Sequence, residues 1–115
     1  MDPLKYKQPD YYQLDDLLTD EHKLVRSAAR DWVNKEVIPI IENCAEKAKF
    51  PKSLYKGLAE IGAFGPTTPS QYGGGGLDYI SYGLIAQELE RGDSGVRSAA
   101  SVQSSLVMYP IFAYG

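Results

Sequence analysis

Apolar positions recur with a helical period along most of this chain. Val25, Ala28, Ala29, Trp32 and Val33 stand three and four residues apart, as on one face of an amphipathic helix. Thr19, Asp20 and Glu21 precede them. The hydroxyl can cap the first amides, and the two acids suit the positive end of the helix dipole. Pro39 interrupts the pattern and is expected to kink or divide the helix near residues 35–37. Ile40, Ile41, Cys44 and Ala45 resume the period up to about Lys49. Phe50 and Pro51 form a break with a proline near the next helix start. Leu54, Leu58 and Ile61 then share a face, closed by Gly62 as a left-handed cap. Residues 65–76, with Pro66, Pro69 and a run of four glycines, read as a loop. Asp78 can cap a helix whose apolar face includes Ile80, Leu84, Ile85 and Leu89. Gly92 stops it, and Asp93 or Ser94 caps a last helix running from about residue 95 towards the C-terminus. No segment alternates as a strand would. The pattern predicts an all-α fold of about five to six helices over residues 19–115. Residues 1–18 read as an extended arm ending in a small apolar cluster of Leu14, Leu17 and Leu18.

Composition narrows the function classes. The 115 residues are 43% hydrophobic and 23% charged, which fits one ordinary soluble domain and argues against disorder. A net charge of -3 with scattered basic residues gives no electrostatic reason to bind nucleic acid or an anionic membrane. No apolar run approaches the roughly 20 residues that span a bilayer. The single cysteine, Cys44, forms no intrachain disulfide, which suits a reducing compartment. The start has neither a signal-peptide nor a transit-peptide pattern, so the expected location is cytoplasmic, or the mitochondrial matrix for a processed eukaryotic form. One histidine and one cysteine far apart give no metal-site spacing, and no nucleophilic triad can be assembled. No catalytic, cofactor-binding or metal-ligating residue is therefore assigned.

Two stretches do not suit an ordinary small helical bundle. In the last helix Arg97, Ser101 and Ser105 follow at intervals of four and share a face, with Ser94 and Ser98 beside it. Small polar groups with few acids or lysines among them suggest a helix packed closely on its neighbours, its polar strip turned to a cavity. A guanidinium there needs an anionic partner. The competing reading is a surface pair between Arg97 and Asp93, four residues before it. The second stretch, residues 107–114, carries no charge. It is expected to be covered by further chain, a partner or self-association, or else to fold back on its own core. The first of these makes the sequence part of a longer protein, truncated at its C-terminal end.

The segments EIGAFGPTTPSQYGGGG (60–76) and YGLIAQELERGDSG (82–95) resemble the N-terminal helical domain of the flavin-dependent acyl-CoA dehydrogenases. GVRSAASVQSSLVMYPIFAYG (95–115) is similar to the glutaryl-CoA dehydrogenase branch, in which an Arg-Ser pair precedes S-V-Q-S-S-L-V-M-x-P-I. The resemblance implies a three-domain parent, a homotetramer that binds FAD and an acyl-CoA thioester. A glutamate base from another domain takes the α-proton while the flavin takes a hydride from the β-carbon. Glutaryl-CoA would then lose carbon dioxide to give crotonyl-CoA in most members, with electrons passing to an electron-transfer flavoprotein. It further implies that Arg97 holds the distal carboxylate of the glutaryl group, with Ser98 and Ser101 as further substrate-binding residues. The flavin-contacting and base-bearing segments of the family are not among these residues, so this chain alone is expected to be inactive. Two alternatives remain: a free-standing helical interaction module derived from this fold, and part of an acyl-CoA dehydrogenase for an uncharged chain.

Other residues receive plainer roles. The glycine run 73–76 lacks the lysine and hydroxyl ending of a phosphate loop and reads as a flexible turn. His22 is expected on the helix surface and Trp32 in the core. Glu88 and Glu90 are expected on a solvated or interface face.

Overall fold

The computed structural model describes residues 9–115. The first eight residues of the expected arm lie outside the described residues. Helix α1 (Asp20–Trp32) begins at Thr19, whose hydroxyl accepts the His22 amide at 3.2 Å. His22 completes the capping box, its Nδ1 accepting the Thr19 amide at 3.2 Å where a glutamate would more often do so. The chain runs on through a π-helical turn (Val33–Val37) into α2 (Ile38–Glu46) without a break. Helix α3 (Leu54–Glu60) is short. Helix α4 (Tyr79–Gly92) starts at Asp78, which caps the Ser81 amide at 2.8 Å. One residue later α5 (Ser94–Ser101) begins, and a second π-helical turn (Val102–Met108) leads into α6 (Tyr109–Tyr114). Single 3-10 turns stand at Leu14–Leu17 and Ser70–Tyr72. Among the described residues there is no strand.

The all-α expectation holds, but five to six helices become four continuous rods: residues 20–46, 54–60, 79–92 and 94–114. Pro39 and Pro110 do not divide their helices. Each sits at the second position of a helical segment that follows a π-helical turn. A proline ring in a regular helix collides with the carbonyl four residues back. Here the backbone bonds are one residue longer, from Ile38 N–H to the Val33 carbonyl and from Tyr109 N–H to the Ser104 carbonyl. The widened turn makes room for the ring and the rod continues.

The core lies where α1 packs on α4 and α4 on α5. It contains Ala29, Val33, Val37, Leu54, Leu58, Ala63, Ile85, Leu89, Val96 and Ala100. Each fully buried Leu, Ile or Val contributes about 1.5–3 kcal/mol. Trp32 packs against this core but remains partly exposed. Ile80, placed on the apolar face by its spacing, is 51% exposed in the first turn of α4, where Ser81 is the residue buried instead. Leu14 and Leu17 are also exposed, and the arm is tied to α1 by charge instead. Both terminal guanidinium nitrogens of Arg26 donate to the Asp15 carboxylate, at 2.6 and 2.7 Å.

Two helix ends close as Schellman motifs. After α3, Ala63 N–H reaches the Leu58 carbonyl and Gly62 N–H the Ala59 carbonyl, with Gly62 at φ 75°. After α2, Lys49 N–H reaches Cys44 and Ala48 N–H reaches Ala45, ending the helix at Glu46, short of Lys49. The left-handed position there is occupied by Ala48, at φ 50°. The glycine run is not a loose turn. Gly74, Gly75, Gly76 and Leu77 amides donate to the carbonyls of Pro69, Gly65, Thr68 and Pro66, lacing the loop to the 65–69 segment.

Candidate functional site

The reversal at Asp93 lays the start of α5 beside the end of α4, and the polar strip of α5 meets partners there. Arg97 Nε donates to Glu90 Oε2 at 2.7 Å, and Nη1 donates to Ser101 Oγ at 3.1 Å. Ser94 Oγ donates to the other Glu90 oxygen at 2.6 Å. Further along, Ser105 Oγ and the Tyr82 hydroxyl are 2.7 Å apart. The strip is thus an interhelical polar seam. The Arg97–Asp93 pair does not form. Asp93 is occupied as the cap of α5, accepting the Val96 amide at 2.9 Å.

Arg97 is divided between two surroundings. Its stem closes a gap of about 10 Å³ with Ala63, Tyr82, Ile85 and Ala100. That gap holds at most a single water, so no ligand enters there. The guanidinium emerges on the solvent side with 36% of the side chain exposed, and Nη2 has no hydrogen-bond partner among the described residues. Nη2 and the remaining Nη1 hydrogen are left for a further acceptor, and a carboxylate's two oxygens match that edge. The Glu90 carboxyl is held below its usual range, first by the Arg97 hydrogen bond and then by Ser94.

The three expected substrate-binding residues separate. Ser101 stays with Arg97, but its hydroxyl proton is committed to the Ser98 carbonyl at 3.2 Å. Ser98 points elsewhere. It lines an open cleft of about 650 Å³ walled by Phe50, Tyr55, Phe64, Val102 and Gln103. One residue along a helix is a rotation of about 100°, which carries Ser98 off the Arg97 face. Glu90 and Tyr82 were missed as partners of the strip. Their signal in the sequence is the one-residue joint after Gly92, which forces the two helix ends together.

Two expectations fail by burial. Glu88 is 4% exposed, enclosed between α1 and α4, where it accepts Arg91 Nε at 2.8 Å and Arg30 Nη1 at 3.3 Å. His22 is buried as well, and its Nε2 lies 2.7 Å from Asp78 Oδ2. Because Nδ1 accepts the Thr19 amide, the proton sits on Nε2 and is donated to Asp78. This one bond joins the starts of α1 and α4. Among the described residues no group of three or more His, Cys, Asp or Glu is arranged to hold a metal ion. Among the same residues no helix is long and apolar enough to cross a membrane.

Residues 19–115 match the family model described as the acyl-CoA dehydrogenase N-terminal domain. The chain belongs to the acyl-CoA dehydrogenase family. This acyl-CoA dehydrogenase segment is 33% identical over 98 residues to the mitochondrial short-chain specific acyl-CoA dehydrogenase of Rattus norvegicus, covering 85% of this chain and 24% of that protein. A glutaryl-CoA dehydrogenase of Mycobacterium smegmatis is similar in structure, with a TM-score of 0.83 and 38% identity over 89% of this chain and 26% of the other. A glutaryl-CoA dehydrogenase from the same organism in complex with FADH2 gives a TM-score of 0.87 and 36% identity, over 98% and 28%. The chain therefore spans about a quarter of the length of these relatives. The glycine loop is no phosphate cradle, since the Gly73, Gly74, Gly75 and Gly76 amides all donate to neighbouring carbonyls. No described residue is assigned to holding the flavin.

Proposed function

We propose that this segment supplies one wall of the acyl pocket of a glutaryl-CoA dehydrogenase, with Arg97 as the group that receives the distal carboxylate of the substrate. Residues 19–115 form its N-terminal helical domain and 1–18 an arm leading into it. The observation that carries the reading is the fixed guanidinium. Glu90 and Ser101 hold Nε and Nη1 of a side chain that is 36% exposed, which leaves the Nη1–Nη2 edge to receive a ligand. A planar pair of donors matches a carboxylate with two parallel hydrogen bonds. An uncharged acyl chain would leave that edge unpaired, which favours the charged substrate. Ser98, on the neighbouring cleft, lines the path of the acyl chain, and Ser101 acts on the substrate through Arg97. The similarity to glutaryl-CoA dehydrogenases supports this branch over one acting on uncharged chains. FAD is the proposed cofactor of the whole enzyme, a homotetramer passing electrons to an electron-transfer flavoprotein.

The test uses the full-length enzyme. Arg97→Ala should raise KM for glutaryl-CoA by at least about tenfold, as expected for loss of a charged hydrogen-bonded contact, and leave butyryl-CoA nearly unchanged. Equal losses on both substrates would reject the assignment.

A further inference from the structure

The function proposed above leaves one buried hydroxyl of the same rod unused. Ser104 lies in the π-helical turn Val102–Met108 and is buried. Its Oγ donates to the Ala63 carbonyl at 3.0 Å and accepts the Gly65 amide at 3.0 Å. Both bonds are buried, and they clasp the two sides of one residue, Phe64. The turn also accepts only glycine at its third residue. Gly65 takes φ 64°, and a Cβ there would come within 2.4 Å of the Met108 side chain.

This turn is shared by the two halves of the site. Ala63 closes the gap around the Arg97 stem, and Phe64 walls the cleft that Ser98 lines. Arg97 and Ser98 ride on the same rod as Ser104, so its hydroxyl ties the wall to the helix that carries the polar groups. A hydroxyl on a one-carbon arm is the smallest side chain that donates and accepts at once. We propose that Ser104 is a positioning residue for substrate selection, fixing the 63–65 turn against Arg97 and Ser98. This rests on the reading of Arg97 given above for its kinetic readout. Without the clasp, two buried peptide groups lose their partner and the turn must shift to reach others. The Arg97 stem then loses part of its packing, and the guanidinium shifts relative to the wall even with its bonds to Glu90 and Ser101 in place. A charged chain suffers more than an uncharged one, which meets only the apolar wall.

The experiment compares Ser104→Ala and Ser104→Thr in the full-length enzyme, with glutaryl-CoA and butyryl-CoA as substrates and a crystal structure of Ser104→Ala. The ratio of kcat/KM for glutaryl-CoA over butyryl-CoA should fall about tenfold in Ser104→Ala, chiefly through KM, since small misplacements of a binding group cost this much or more. Ser104→Thr, which keeps the hydroxyl, should restore most of the ratio, and the crystal structure should show the 63–65 turn displaced. A lowered melting temperature with an unchanged ratio, or a turn that superimposes on the original, overturns the proposal. If the unsubstituted enzyme does not favour glutaryl-CoA, the Arg97 reading fails, and the position of the turn still decides the role of Ser104. Should Ser104→Ala be too unstable to purify, Ser104→Cys, with weaker and longer hydrogen bonds, should lower the ratio less but in the same direction.

Discussion

Glu90 and Arg97 sit on different helices, yet their Oε2 and Nε atoms are 2.7 Å apart. The reversal at Asp93 brings them together, and Ser94 fixes the second carboxylate oxygen. The guanidinium is thereby oriented, and part of its charge is balanced before any ligand arrives.

Removing that balance should strengthen the attraction for an anionic chain. In the full-length enzyme, Glu90→Gln is expected to lower KM for glutaryl-CoA and leave that for butyryl-CoA in place. A higher KM for glutaryl-CoA alone would show instead that orientation of Arg97 outweighs its charge balance.

Glu88 is expected to matter for stability. Its carboxylate is buried beside Arg91 and Arg30, so truncation strips a charged partner from an enclosed site. Glu88→Ala should cost about 3 kcal/mol in denaturant unfolding. A loss within experimental error would mean that water replaces the carboxylate.

Acid should loosen the joint between α1 and α4. The Ser81 amide, and after it the His22 imidazole, hold the Asp78 carboxyl at about 2, below the usual 3.8. A carboxyl lowered on folding stabilises the fold above its unfolded value and loses that contribution as pH falls through the folded one. The contribution is therefore present above about pH 4 and lost between about 4 and 2. Arg26 lowers Asp15 in the same direction. Asp78→Asn should flatten the acid limb of a melting temperature against pH curve over that window. An unaltered limb would assign acid unfolding to other groups.

Ala48 offers a stabilising change. It holds the left-handed position of the α2 cap at φ 50°, where a Cβ is disfavoured. Ala48→Gly should raise stability by about 0.5–1 kcal/mol, the strain relieved less the extra freedom of glycine in the unfolded chain. Thermal melting of the two proteins measures it, and a drop would mean that the cap carries no strain.

Much of the local architecture was legible before any coordinates. Thr19, Asp78 and Asp93 act as caps, Gly62 closes α3, and Gly92 ends α4, because each depends on bonds within a few residues. Pro39 marked the place of the irregular turn, Val33–Val37, but not its form. A ring clash can be relieved by one wider turn as well as by a break, and residue order does not say which. Glu88 and His22 were misplaced because charge and polarity normally keep such groups outside. Their partners, Arg30 and Asp78, stand 58 and 56 residues away in the chain.

By itself the order of residues determined the helical class, the caps and the family likeness, since these rest on short-range periodicity and on motifs contiguous in the chain. It also marked Arg97 as a charge in need of a partner. Only the tertiary structure decided that the partner is Glu90, that Ser98 turns to a different cleft, and that Ser104 clasps the turn between them. Those relationships depend on how two rods are rotated and joined, and a rotation of about 100° per residue makes neighbours in sequence face different surroundings in space.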